Sequence, residues 1–183
     1  MRTRWTLVSL LLLVAPASRA LSQVIDQMQP IVDGTVGGWA IGGTSHQKLA
    51  QVVTARLSGD VSAFFLPVAC TSGKLTVDIR NVVGDEPGSS LLLRKKILAA
   101  ELPDVGPAFR RMALGAVIHV SAGDRFALVL SNPLGECGIF KGPAGDSYGG
   151  GALFFDALPN SPGWIPATTP TTDLPFLQVL VVP

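Results

Sequence analysis

One five-residue segment of the sequence matches a motif of catalytic serines. Gly145-Asp146-Ser147-Tyr148-Gly149 fits the G-x-S-x-G pattern, which in α/β-hydrolases places a nucleophilic serine between a strand and a helix. Here the motif runs into Gly149-Gly150-Gly151, where a helix is disfavoured, and neither His46 nor His119 follows Ser147. We therefore interpret the match as a chance one. The sequence predicts no catalytic residue and no enzyme activity, with a small secreted hydrolase as a remote alternative.

Acidic residues in loops are the next candidates for chemistry. Asp85 and Glu86 are adjacent in a turn, and Asp146 lies in a second loop. Because Ca²⁺ prefers carboxylate and loop carbonyl oxygens, we predict these three residues as calcium ligands. They do not define the paired carboxylates of a glycoside hydrolase, since 13 acids produce such spacings by accident. The two histidines, His46 and His119, lack the third partner that a zinc site needs.

Two aromatic residues in loops are candidates for stacking on a sugar. Trp164 follows Asn160-Ser161-Pro162-Gly163, and Tyr148 precedes a run of glycines. The alternative is that both rings are buried and close the ends of the fold, with their polar tips hydrogen-bonded. Trp39 lies inside an apolar segment, so we expect it in the core.

The N-terminus has the pattern of a secretory signal peptide. Arg2 and Arg4 precede an apolar run from Trp5 to Val14, and small residues occupy Ser18 and Ala20. The uncharged run is shorter than the roughly 20 residues that span a bilayer. We expect cleavage near Ala20 and export to the periplasm or outside, with no membrane span afterwards.

Removal of residues 1–20 changes the charge of the chain. Three arginines leave with that segment, so lysine plus arginine falls from 14 to 11 against 13 acids, and the net charge moves from +1 to about −2. A nearly neutral domain has no basic field for nucleic acid. The one basic run, Arg94-Lys95-Lys96, is typical of a solvated strand edge.

The chain has two cysteines, Cys70 and Cys137. An even number in an oxidising compartment favours a disulfide, and only one pairing exists. A metal pair or a catalytic thiol would need a histidine nearby in sequence, and there is none. We predict a disulfide between them.

Apolar residues recur with a period of two, which indicates β-strands. In Lys74–Arg80, Leu75, Val77 and Ile79 alternate with polar residues, as in a strand with one wet face. Arg125–Leu130 is apolar on both faces, which predicts a central strand with Ala116–Val120 as its hairpin partner. The segment Gly84–Gly88 predicts a turn. The remaining predicted strands are 36–41, 49–54, 62–69, 151–155 and 174–182, giving about eight strands.

Helical signals are weak. Only Ser22–Gln29 and Ile97–Leu102 indicate a turn or two of helix, the second stopped by Pro103. We expect a signal peptide over residues 1–20, a lead-in segment over 21–34, and a single antiparallel β-sandwich domain over 35–183.

The order of several segments resembles the jelly-roll β-sandwich modules of secreted bacterial proteins. The segments are Gln51–Ala55, Gly73–Arg80, Glu86-Pro87-Gly88, Ser121–Ser131 and Tyr148–Ala152. The resemblance covers roughly residues 35–182 and implies a carbohydrate-binding-like or adhesive module, found alone or beside surface-anchor domains. It also implies a structural calcium ion, although no cofactor is required. Fold analogy leaves the ligand open.

Three functions follow from these patterns. The first is an exported, non-catalytic module that binds a glycan or another cell-surface polymer. The second is a structural or protein-interaction domain of the cell surface or periplasm, which buried rings at Trp164 and Tyr148 and an exposed apolar patch would favour. The hydrolase is the third.

Overall fold

A computed structural model of the chain describes residues 21–34, 37–159, 163–168 and 173–182. The predicted signal peptide, residues 1–20, lies outside them. The described residues form thirteen strands: β1 (Ser22–Gln29), β2 (Gly38–Gly42), β3 (Lys48–Thr54), β4 (Gly59–Leu66), β5 (Val68–Cys70), β6 (Lys74–Val83), β7 (Glu86–Leu98), β8 (Arg110–Val120), β9 (Arg125–Ser131), β10 (Glu136–Phe140), β11 (Leu153–Asp156), β12 (Ile165–Pro166) and β13 (Phe176–Val182). One 3₁₀ turn, Ala99–Glu101, follows β7. Among the described residues no helix is long and apolar enough to span a membrane.

The strands form an antiparallel β-sandwich, as the sequence predicts. A six-stranded sheet has the order β12-β11-β3-β9-β6-β7. A four-stranded sheet, β1-β13-β4-β8, and a three-stranded sheet, β2-β10-β5, lie on the other side of the core. Pro67 separates β4 from β5, so the chain passes directly from the four-stranded to the three-stranded sheet. The structure has more strands than the eight expected. The predicted strand 62–69 is divided at Pro67 into β4 and β5, and β12 has only two residues, while β1, β7 and β10 lack a clean alternating pattern.

Alternation places one face of each strand in a single core. Leu75, Val77 and Ile79 of β6 are fully buried, as their spacing predicts. They pack in one cluster with residues of all three sheets, including Phe64 of β4 and Phe176 of β13. Burial of each such side chain contributes roughly 1.5–3 kcal/mol, so this cluster is the main source of stability.

Two expectations about local structure are wrong. Ser22–Gln29 is an edge strand rather than a helical turn, and it pairs with β13, so the lead-in segment belongs to the sandwich. The expected hairpin of Ala116–Val120 with Arg125–Leu130 does not form, since β8 pairs with β4 while β9 pairs with β3 and β6. The turn at Ser121–Asp124 carries the chain between sheets. Local sequence specifies such a turn but not the sheet that each flanking strand joins.

The connection between β6 and β7 is tighter than the sequence predicts. Its two turn residues are Gly84 and Asp85, and the ladder resumes at Glu86. Gly84 has φ +61°, a value that favours glycine at the first position of a two-residue hairpin turn. Further along the hairpin, the register shifts between Ile79 and Arg80, which leaves the extra residue of a bulge on β7.

The predicted disulfide is confirmed. Cys70 of β5 and Cys137 of β10 are directly opposite each other in the three-stranded sheet and are bonded. Both residues are buried and belong to the main core cluster. The bond therefore holds the smallest sheet of the sandwich together.

The Cys70→Ser/Cys137→Ser double variant should lower the free energy of unfolding by about 4 kcal/mol. The bond closes a separation of 67 residues, and the chain entropy that it removes from the unfolded state gives this value. Guanidinium titration under oxidising conditions measures the change, with the wild-type protein under reducing conditions as the control. A loss below about 1 kcal/mol would contradict a stabilising role.

Candidate functional site

The face of the six-stranded sheet that points away from the main core, here the outer face, carries charged side chains beside an apolar cluster. Pairing between the strands aligns one row of residues: Arg94 of β7, Asp78 of β6, Val129 of β9, Ala50 of β3 and Phe154 of β11. Pro166 of β12 continues this row. Residues two positions away along each strand form parallel rows on the same face. The face is thus polar along β6 and β7 and apolar across β9, β3 and β11.

The apolar half of the outer face is a buried cluster of small residues. Its members are Ala50, Val52, Ala127, Val129 and Phe154. Trp164, which directly precedes β12, packs against this cluster and stays partly exposed. Ala50 and Ala127 of this cluster have short side chains, which leaves room for a large ring above the sheet. The indole of Trp164 is therefore held on the outer face with part of its surface in solvent.

The polar half centres on Asp78, which is only 2% exposed. Arg94 donates from Nε and Nη2 to its two carboxylate oxygens at 2.7 Å each, and Arg80 donates from Nη2 at 2.8 Å. Burial raises the pKa of Asp78, but the hydrogen bonds and charges of the two arginines outweigh it, and the net shift is downward. The same contacts raise the pKa of Arg94. Two guanidinium groups are thus fixed beside one ionised carboxylate. They cover Asp78 on the face of β6 that the sequence predicts to be exposed to solvent.

A second ion pair lies beyond the apolar cluster. Lys48 Nζ on β3 is 2.8 Å from Asp156 Oδ2 at the end of β11. The two residues are opposite each other in the ladder. Charged groups therefore flank the tryptophan-covered cluster on both sides, so the outer face combines an aromatic ring with planar polar donors.

Tyr148, the second aromatic candidate, is not on this face. Its ring is 6% exposed and packs edge-on against Phe176 at 5.0 Å. Its hydroxyl donates to Gln27 Oε1 at 3.0 Å and accepts from the Thr54 N–H at 3.4 Å. Burial raises its pKa to about 12. The ring closes one end of the sandwich and offers no free face to a ligand, which was the alternative expected for Tyr148.

Ser147 of the G-x-S-x-G match is organised by a carboxylate rather than by a histidine. Asp173 accepts hydrogen bonds from the backbone N–H groups of Ser147 and Tyr148 at 2.9 and 3.0 Å. The Ser147 hydroxyl lies 3.5 Å from the same oxygen. Burial raises the pKa of Asp173, and these N–H donors only partly oppose it. These bonds shape the loop, and the side-chain partner of the Ser147 hydroxyl in the described structure is this carboxylate rather than an imidazole.

Neither histidine is hydrogen-bonded to Ser147. His119 on β8 pairs with Asp60 at 3.0 Å in the four-stranded sheet, and His46 lies in the turn before β3. The glycines after the motif have a packing role, since a Cβ on Gly151 would collide with the backbone oxygen of Val52.

The three predicted calcium ligands are exposed. Asp85 forms an ion pair with Arg125 at 2.8 Å, Glu86 is the first residue of β7, and Asp146 lies in a separate loop. Over the described ranges, no group of three or more His, Cys, Asp or Glu residues is close enough to hold a metal ion. The calcium site remains a prediction.

Sequence reasoning missed the charged centre of the outer face. The alternation of Asp78 and Arg80 in β6 placed both on the polar side of the strand. Arg94 was interpreted as part of a solvated edge, and β7 is indeed the edge strand of its sheet. The signal that could have joined them is pairing of the two strands, which sets Arg94 opposite Asp78. Trp39, expected in the core, is only partly buried but packs against the main core and stacks on Phe155.

Comparison with known proteins leaves the outer face to be interpreted from its own residues. No model of a known protein family matches the chain, and a search of curated proteins finds no match. The resemblance to secreted jelly-roll modules therefore stays an expectation.

Tyr148 is the only tyrosine of the chain, so its ionisation can be followed by ultraviolet absorbance. In the folded protein the phenol should titrate near pH 12, against about 10 in the unfolded chain. Because the folded pKa is raised, the stability that Tyr148 contributes is fully present below about pH 10 and is lost as the pH rises towards 12. The protein in denaturant is the control, and a native titration near pH 10 would contradict the buried hydroxyl.

Proposed function

We propose that the chain is an exported, non-catalytic binding module that recognises a glycan on the outer face. The observation that carries this proposal is Trp164, a partly exposed indole seated on the buried cluster of the six-stranded sheet. A partly exposed indole offers apolar surface on which a sugar ring can stack. A partly exposed ring held by packing also loses little conformational freedom on binding.

Charged groups elsewhere on the outer face supply the directional contacts that an extended glycan needs. Arg94 is half-exposed, and its guanidinium is fixed by Asp78. Lys48 and Asp156 lie on the other side of the cluster. Preorganised donors on the same face as an aromatic ring bind hydroxyl and carboxylate groups with defined geometry.

Export is supported by the signal-like N-terminus and by the disulfide between Cys70 and Cys137. Disulfides persist in oxidising compartments such as the periplasm and the extracellular space. Glycans of cell surfaces and matrices are the polymers that a protein in these compartments meets.

A second candidate function is a protein-interaction domain, and a different observation favours it. On the edge strand β1, Ile25 and Met28 are 50% and 55% exposed. An edge strand with exposed apolar side chains can pair with a strand of another protein. This surface is on the four-stranded sheet, so the two functions use different parts of the molecule.

Trp164→Ala should weaken binding to the best ligand of a broad glycan array by about tenfold or more, as expected for a tryptophan at the centre of a site. The matched control is Val117→Ala, which truncates an exposed residue of β8 away from the outer face. Near-ultraviolet circular dichroism checks that both variants are folded.

The array should be repeated with calcium chelated, which tests the predicted ligands Asp85, Glu86 and Asp146. Binding that needs calcium and is lost in Asp146→Asn would place the site in the loops instead of on the outer face. A blank array from folded protein in both conditions would contradict the glycan proposal and favour the protein-interaction function.

A further inference from the structure

The outer face is basic where β6 and β7 meet, although the chain as a whole is nearly neutral. Lys74, Arg80, Arg94 and Lys96 alternate with core residues on this part of the face, and Asp78 is the acid among them. The ladder sets Lys96 opposite Thr76 and Arg94 opposite Asp78. This part of the face thus carries four cationic side chains and one carboxylate, which binds only Arg80 and Arg94, so the surface has an excess of positive charge.

Part of this surface is a cavity of about 240 Å³ at the end of β6. Its lining includes Lys74, Thr76, Lys96 and Asn132, and none of its lining residues is acidic. The Asn132 side chain is fixed, because Oδ1 accepts from the Lys74 N–H at 3.3 Å and Nδ2 donates to Ser72 O at 2.8 Å. The cavity thus has a rigid wall and two ammonium groups, neither of which forms an ion pair with a carboxylate of the described residues.

Arg94, two residues before the cavity residue Lys96 on β7, has a donor to spare. Arg94 uses Nε and Nη2 on Asp78, and within the described part of the chain its Nη1 donates to no acceptor. Guanidinium groups bind planar or tetrahedral anions such as carboxylate and sulfate.

The basic surface and Trp164 lie at opposite sides of the same sheet. From β7 to β11 there are four interstrand spacings, or about 19 Å. A single sugar cannot contact both ends, whereas an extended oligosaccharide can lie across the strands.

We propose that the glycan is an acidic polysaccharide, whose carboxylate or sulfate groups bind Lys74, Lys96 and Arg94 while a sugar ring stacks on Trp164. This proposal deepens the glycan-binding function and rests on it. The near-neutral charge of the whole chain gives little long-range attraction for nucleic acids, so the local charge serves recognition at short range.

The test uses protein purified after expression of the full chain. Binding is measured to heparin as a sulfated probe, polygalacturonate as a carboxylated probe and dextran as a neutral probe, at low and high salt. The variant Lys74→Gln/Lys96→Gln removes two charges from the face. The matched control is Arg56→Gln/Arg111→Gln, which removes two exposed charges elsewhere, on the β3–β4 connection and on β8.

The face variant should bind the acidic probes about tenfold more weakly, since each charge-assisted contact contributes measurably to affinity. The control should stay within about twofold of wild type, and salt should weaken acidic binding as it screens the contacts. Stronger binding of heparin indicates sulfate recognition, and stronger binding of polygalacturonate indicates carboxylate recognition. Either supports the proposal.

Three results would overturn it. One is equal affinity for dextran and the acidic probes, with loss only in Trp164→Ala, which would leave the glycan function intact but without a preference for acids. Another is equal loss in the control variant, which would indicate non-specific charge. A third is binding of duplex DNA or anionic vesicles as tight as that of the polysaccharides. No binding to any saccharide would contradict the glycan function itself.

Discussion

The six-stranded sheet needs cover on both faces, and this constraint shapes the rest of the molecule. Its inner face packs into the main core, but alternate residues of β3 and β9 place Ala50, Val52 and Val129 on the outer face, where they are also buried. Exposed apolar side chains would cost roughly 25 cal/mol for each Å² left in water. Trp164 supplies cover for the apolar half. Over the polar half the arginines close around Asp78, because an unpaired carboxylate with 2% exposure would be strongly destabilising.

The same cover gives the outer face its chemistry. A side chain that shields the sheet from water has one surface on the protein and another towards solvent, and Trp164 and Arg94 are both of this kind. Their positions are fixed by contacts that stabilise the fold, so a ligand meets groups that are already ordered. Elsewhere in the molecule, buried carboxylates fix loops by accepting hydrogen bonds from the backbone. Asp26 accepts from the backbone N–H groups of Arg56 and Leu57, and Asp173 accepts from that of Ser147. The role of these two acids is therefore to hold loops in place.

Alternation in the sequence predicts the sandwich and the core residues of β6 and β9, because the burial of a strand face depends on local spacing. It does not predict that β8 and β9 belong to different sheets, since that choice depends on which distant strands they meet. The different positions of Trp164 and Tyr148 show the same limit. Both follow loop residues, yet Tyr148 enters the sandwich against Phe176, whereas Trp164 stays at the surface. Nor does the sequence predict that Asp78 is buried while Lys74, on the same side of β6, is exposed, because the cover comes from Arg94 on the next strand.

The claim that the outer face is the ligand site is tested most directly by nuclear magnetic resonance of the side-chain N–H groups during titration with the polysaccharide that binds best. The indole signal of Trp164 and the guanidinium signals of Arg80 and Arg94 should shift together as the ligand is added. The indole signal of Trp39, whose Nε1 is buried at the three-stranded sheet, should stay in place. Shifts confined to Trp39, or to residues of β1, with no change at Trp164 or Arg94, would contradict the account.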